Sequence, residues 1–446
     1  MKQRIVTAIA LGVGATLGLL VLEARLVDRS GRIIGPSSEG LMQTASVADL
    51  RLQPWQTLLY LHIQPPMLDA LRAVLVHTVG RGQEYATLVV TVDRWLLRLW
   101  AAVYGATVAL VCLWVAALRS RVWLGVAAAV VWALQPPALL YPMVVGTDAL
   151  AAFGTLWCLY ALWRRSPAGV CLATVLLFYT RSHFQWPFAL LMVGVLLVRG
   201  ADRRRTFISL GIVVLAMLPM YIKQWVSFRM VTTSSFFGRN ACSSLGLAYE
   251  EPAVRAPEFQ VAAASHARTL TRFRKPSGHM NYNHVEWLRR AWQEERLYWT
   301  AVRNSTWTEL LAAWAINARI FIEPSSSYAR SPVTAVLPWR PAYDWLFSRL
   351  PLLLLCLLSC TLWLWHAPWR VLLQRCVLAL PILYVACVSI LFERKDGMRY
   401  RYFIEPVLYV LVVASACEVV RRLSSWRRHR SAGYATQERQ PRSTAG

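Results

Sequence analysis

The sequence predicts an all-α integral membrane protein of about ten transmembrane helices with two long extracytoplasmic loops. Three observations predict it. Of the 446 residues 57% are hydrophobic and the mean hydropathy is +0.40, more apolar than a soluble chain of this size. Several windows, among them Val122 to Tyr141, Phe207 to Tyr221 and Leu350 to Trp365, approach or exceed the roughly 18 apolar residues that mark a bilayer span. The net charge of +25 is concentrated in short arginine clusters between those windows, where the positive-inside rule puts it. A nucleic-acid footprint would instead form a basic face or stripe, so nucleic acid is set aside.

The elements follow in chain order. Residues 5–22 form a first span behind Lys2 and Arg4. No small-x-small cleavage site follows it, so it reads as uncleaved. Residues 23–95 form the first outer loop, with equal numbers of acidic and basic residues between Glu23 and Arg94. Six spans follow at about 96–118, 122–141, 146–163, 168–180, 186–198 and 206–226. Residues 227–345 form the second outer segment. It is mainly helical in its middle, where apolar residues recur at three and four, and it is broken at Pro324. Spans at 346–365, 371–392 and 402–420 complete the set, and 421–446 is a basic, polar, disordered tail. With the N-terminus inside, every short inner connection carries arginine: Arg119 and Arg121, Arg164 and Arg165, Arg199 to Arg205, and Arg370. An even span count returns the tail inside, so the sequence predicts a multi-pass protein of the cell membrane with both termini cytoplasmic.

Nine cysteines fall mostly within apolar segments, with no CxxC or CxxH spacing. That pattern favours small buried hydrophobes over a disulfide framework or zinc site. In the first outer loop "LYLHIQPPMLDAL" (Leu59 to Leu71) interrupts an amphipathic stretch. Its two prolines remove two backbone donors and keep the preceding residues out of the α region. The break is either a rigid turn between interfacial helices or the wall of a watery cavity.

Four stretches in order carry a resemblance: "HIQPPML", "LQPPALLYPMVVGTDALAAF" (Leu134 to Phe153), "FYTRSHFQWP" (Phe178 to Pro187) and "FERKDGMRYRYFIEPVLYVLVVAS" (Phe392 to Ser415). Together they resemble the GT-C superfamily of membrane glycosyltransferases, in particular relatives of protein mannosyltransferases and lipid A aminoarabinose transferases. The likeness covers most of the chain by layout and only these stretches by residue. The resemblance implies transfer of a sugar from a polyprenyl-phosphate donor in the lipid bilayer to an acceptor, of unknown identity, on the extracytoplasmic side. One departure is plain. The superfamily's Asp-Glu or Asp-x-Asp group after the first span is absent, and Glu23, Asp28, Glu39 and Asp49 stand singly.

The chemistry so implied needs a carboxylate to take the acceptor's proton and cations to stabilise the leaving lipid phosphate. The resemblance makes Glu39 and Asp28 the first candidates for the base, since they precede the Pro-Pro break at a distance similar to the family's, and Asp49 is the third; a solvated loop carboxylate is the alternative for each. Arg181, Arg399 and Arg401 lie at outer span ends against the charge bias, with Lys395 a weaker member. They either grip the phosphate or snorkel to headgroups. His62 and Gln64 in the Pro-Pro stretch are candidates to orient substrate. Asp148 opens a span and either caps it or binds acceptor or metal. The resemblance admits a divalent metal without requiring a cofactor.

Two other classes compete. A membrane polysaccharide polymerase or ligase would use the second outer segment, where Arg239, His266, His279 and His284 are available. A transporter would place charge mid-span, whereas Asp93, Lys223 and Arg375 sit at span ends or flanks.

Overall fold

The structure is a computed structural model. It describes residues 2–30, 37–119, 121–247, 274–325, 339–349, 377–394 and 396–437, with only the backbone path for 26–30, 119, 422 and 425–437. It is helical throughout; among the described residues the one β-type pairing is an isolated bridge between Arg274 and Met280.

Among the described residues three helices are long and apolar enough to cross a membrane. They are α1 (Lys2–Ser30), α5 (Tyr85–Arg119) and α11 (Arg203–Phe228). Two shorter helices, α6 (Val122–Ala133) and α7 (Pro136–Leu140), make a fourth crossing if their bent pair is one span. The remaining apolar helices are α8 (Asp148–Trp163), α9 (Pro167–Thr180), α10 (Trp186–Val198) and the stretch Val377–Phe392. The long apolar helices make this a membrane-associated protein. The expected span at 346–365 lies almost wholly outside the described residues.

α1 lies along α5 with backbone nearly touching backbone. A Cβ on Gly12 would stand 2.7 Å from the Gly105 carbonyl oxygen. Thr16 Oγ1 donates to Gly12 O at 3.0 Å and Ala101 O at 3.3 Å. In lipid, where hydrophobicity gives helices no reason to associate, such close approach supplies the packing. One apolar core runs on from this contact through Trp114, Trp132, Leu159, Leu177 and Phe188 to Tyr409.

Two elements differ from the sequence reading. The expected span 122–141 is bent by 70° at its middle. Gln135 is extended (φ −71°, ψ 136°) before Pro136 and Pro137, which cannot complete the helix ladder. The last helix runs from Glu405 to Gln437, beyond the expected end at 420 and through residues expected to be disordered. Its arginines, alanines and serines continue a helix at little cost once a span has nucleated it.

Outside the apolar helices the segment expected to form the first outer loop folds into α2 (Val47–Leu52), α3 (Pro54–Leu59) and α4 (Met67–Thr78). The second contains α12 (Phe237–Ser244), α13 (Val285–Asn304), α14 (Trp307–Ile322) and α15 (Arg340–Ser348). α14 opens with a capping box between Thr306 and Glu309. α16 (Leu380–Phe392) and α17 (Gly397–Arg401) complete the frame around the site.

Candidate functional site

Three of the four stretches that carry the family resemblance meet at one carboxylate. Asp148 is the first residue of α8, after a tight turn in which Gly146 N donates to Val144 O at 2.7 Å. Helix N-termini favour negative charge. Arg181 ends α9 in an extended conformation, and its Nη2 lies 2.6 Å from Asp148 Oδ1. Arg399, on α17, donates from Nε to Oδ1 at 2.9 Å and from Nη2 to Oδ2 at 2.8 Å. The two-point fork fixes orientation as well as charge. Asp148 is 2% exposed and the two arginines 12% and 13%, so the guanidiniums form the accessible edge. Asp396 adds a second carboxylate, 3.6 Å from Arg399 Nη1 and one third exposed.

His183, which the sequence reading passed over, sits two residues after Arg181. Its ring packs on Tyr400 at 4.2 Å and edge-on to Phe403 at 5.9 Å. Burial first, then the neighbouring Arg181 and Arg399, push it down to about 3, so it stays a neutral imidazole. Glu393, 5% exposed, is held up to about 8 by burial and then by Asp396. Proximity to "TRSHF" and "FERKDG" is the sequence signal that could have found both.

Arg401 does not join this group. It is fully buried, donating to the carbonyls of Ile322, Glu323 and Phe347, with its Nε 3.5 Å from Glu405 Oε1. It staples the ends of α14 and α15 to the start of the last helix. Lys395 lies outside the described residues.

The first outer segment is built around a second buried charge group. Glu39, 1% exposed, accepts from Arg72 Nη2 at 2.9 Å, Val47 N at 2.9 Å and Tyr85 Oη at 2.8 Å. Arg72 also reaches Asp69 Oδ1 at 2.6 Å, Ala45 O at 2.6 Å and Ser38 Oγ at 3.1 Å. Lys275, from the second outer segment, donates to the carbonyls of Glu39 and Leu41 at 2.9 and 2.6 Å. Burial works to raise the Glu39 carboxyl, but Arg72 and Lys275 outweigh it and hold it below its ordinary value. Burial raises Asp69. Glu39 is thus enclosed and fully engaged, a tie within the loop. Asp49, in the first turn of α2, is partly exposed. Asp28 falls on the last turns of α1, where side chains lie outside the description.

The Pro-Pro break is where the two outer segments dock. Asn283 Oδ1 accepts from both His62 N and Ile63 N at 3.3 Å, and Ser235 N donates to His62 O at 2.7 Å. The non-helical backbone before the prolines leaves these groups open to a partner, which a helix would not. The His62 ring is 1% exposed, bonded through Nδ1 to Ser235 Oγ at 2.8 Å and packed on Phe228. Burial first, then Lys223, push it down to about 3. Gln64 is half-buried beside it. The segment leans on the Asp148 turn, since Val47 and Leu68 share a core with Val145 and Leu150.

Among the described residues no group of three or more His, Cys, Asp or Glu side chains is arranged to hold a metal ion. No protein-family model matches the chain, and no curated protein or solved structure is significantly similar to it.

Proposed function

We propose that the protein is a membrane glycosyltransferase that moves a sugar from a polyprenyl-phosphate donor to an acceptor on the extracytoplasmic side. The proposal includes ten spans with both termini inside. The observation that carries it is the pair Arg181 and Arg399 gripped by the single buried carboxylate of Asp148 at the ends of apolar helices. The two guanidiniums carry ten N–H donors between them and are held by Asp148 and, at Arg399, by the one-third exposed Asp396. A lipid phosphate leaving the anomeric carbon needs such a fork held rigid beforehand. Asp148 supplies the rigidity, and neutral His183 adds no competing charge. An acceptor's proton goes to a carboxylate open to solvent. Asp49 and Asp28 remain first-loop candidates, and Asp396 beside Arg399 joins them, whereas Glu39 is closed off by its own partners.

The test is transfer of labelled sugar from a polyprenyl-phosphate donor by purified variants. Arg181→Lys and Arg399→Lys keep the charge and lose the planar fork. Each is expected to lower turnover by about 10²–10³, the worth of one preorganised donor at a developing anion. Full transfer in both variants would refute the assignment.

A further inference from the structure

A groove of about 420 Å³ lies between the start of α10 and the end of α11, lined by Trp186, Leu218, Tyr221, Ile222, Trp225 and Val231 among others. Its two walls are tied by Trp186 N donating to Tyr221 Oη at 3.3 Å. Among the described residues none that lines it is acidic. α11 is apolar, and only 22% of its apolar window is buried, so this side of it faces lipid. Arg203, Arg204 and Arg205 mark the opposite end of α11 as the inner one, which sets the groove at the outer interface, where tryptophan and tyrosine are enriched.

The lip of the groove is unusual. α11 closes with Met230 N donating to Gln224 O at 3.2 Å and Arg229 N donating to Trp225 O at 3.0 Å. This closure needs a left-handed residue, the place where glycine is preferred. Here it is Arg229, with φ 52° and ψ 34°. A long cationic side chain stands here, as at Arg165 after α8, where glycine is the usual residue. Its guanidinium stands 5.8 Å from the Trp225 ring centroid, over a groove wall. Lys223, nearly two turns earlier, directs its side-chain nitrogen to the carbonyls of Leu58 and Leu61.

We propose that this groove holds one acyl chain of an anionic phospholipid of the outer leaflet, with the lipid phosphate at Arg229. An apolar trough, an aromatic rim and a basic residue at its water-facing end match the three parts of such a lipid. The site is separate from the arginine pair around Asp148, and it does not depend on glycosyl transfer.

The test uses the full chain in detergent with equal amounts of phosphatidylglycerol and phosphatidylcholine, read by native mass spectrometry. The parent retains phosphatidylglycerol about fivefold over phosphatidylcholine, the worth of one basic residue near an anionic headgroup. Arg229→Gln and Arg229→Gly bring the ratio to parity, and Trp225→Ala lowers retention of both. Arg229→Gly relieves the left-handed backbone, so its thermal midpoint equals or exceeds the parent's while selectivity is lost. Parity in the parent, or selectivity surviving in Arg229→Gln, overturns the proposal. Stoichiometric displacement of phosphatidylglycerol by polyprenyl phosphate also overturns it, because the groove would then belong to the donor.

Discussion

Replacing Arg72 by methionine removes the cation that two buried carboxylates share. Arg72 makes four hydrogen bonds, to Glu39, Asp69, Ala45 and Ser38, and neither it nor Asp69 has any exposed surface. Stripping one partner from a buried ion pair costs about 3–5 kcal/mol, because the other is left uncompensated. At about 1.4 kcal/mol per tenfold, the opening equilibrium of the first outer segment rises by about two to four powers of ten. The amides of Ala45 and Val47, which donate to Asp69 Oδ1 and Glu39 Oε2, report that opening directly. Hydrogen exchange of peptides covering residues 38–50 is therefore expected to accelerate by that factor, while exchange in α9 stays unchanged. The triple variant Arg72→Met, Glu39→Gln, Asp69→Asn leaves no charge from this trio unpaired. It is expected to recover at least roughly a tenfold share of the lost protection. Exchange in Arg72→Met within threefold of the parent would refute the reasoning. Glu39 would then be no buried tie, and it would return as a candidate base.

Two further perturbations address the Asp148 centre. A Cβ at Gly146 would stand 2.8 Å from Asp148 Oδ2, so Gly146→Ala shifts the carboxylate under Arg399. It is expected to lower sugar transfer by about one to two powers of ten through misplacement, with an unchanged thermal midpoint; unchanged transfer would contradict it. Glu393 is raised by burial, then by Asp396, to about 8 from an ordinary 4.5. The folded state binds its proton more tightly, so its contribution is complete below about pH 4.5 and is lost as pH rises through about 8. Exchange of amides 393–400, corrected for intrinsic chemistry, should be faster at pH 8.5 than at 5.5, and Glu393→Gln should flatten that dependence.

Helix positions were legible wherever periodicity and charge agreed. The expected 186–198 matches Trp186–Val198, and 168–180 begins one residue inside Pro167–Thr180. The bend at Gln135 was written in its two prolines, but hydropathy averages over a window and does not register a missing N–H. Asp148, Arg181 and Arg399 were each singled out by charge at an apolar edge. Their meeting was not legible, since it joins residues 251 apart in the chain. Glu39 and Arg401 show the converse limit. A carboxylate or guanidinium reads alike in sequence whether its partners are a substrate or backbone carbonyls, and only packing distinguishes the two. His62 was noticed for its chemistry, whereas its backbone carries the docking.

The tie from Lys275 to Glu39 has a consequence for biogenesis. The bond spans 236 positions. At about 5–20 residues per second a ribosome needs roughly 10–50 s to cover that interval. During that time the newborn segment around Glu39 lacks its second cation, and the Pro-Pro turn waits for Ser235 and Asn283. Maturation of this face is thus ordered by synthesis: α2 to α4 are secured only after α5 to α12 have been made. A chain stalled between those points holds α2 to α4 without these fastenings.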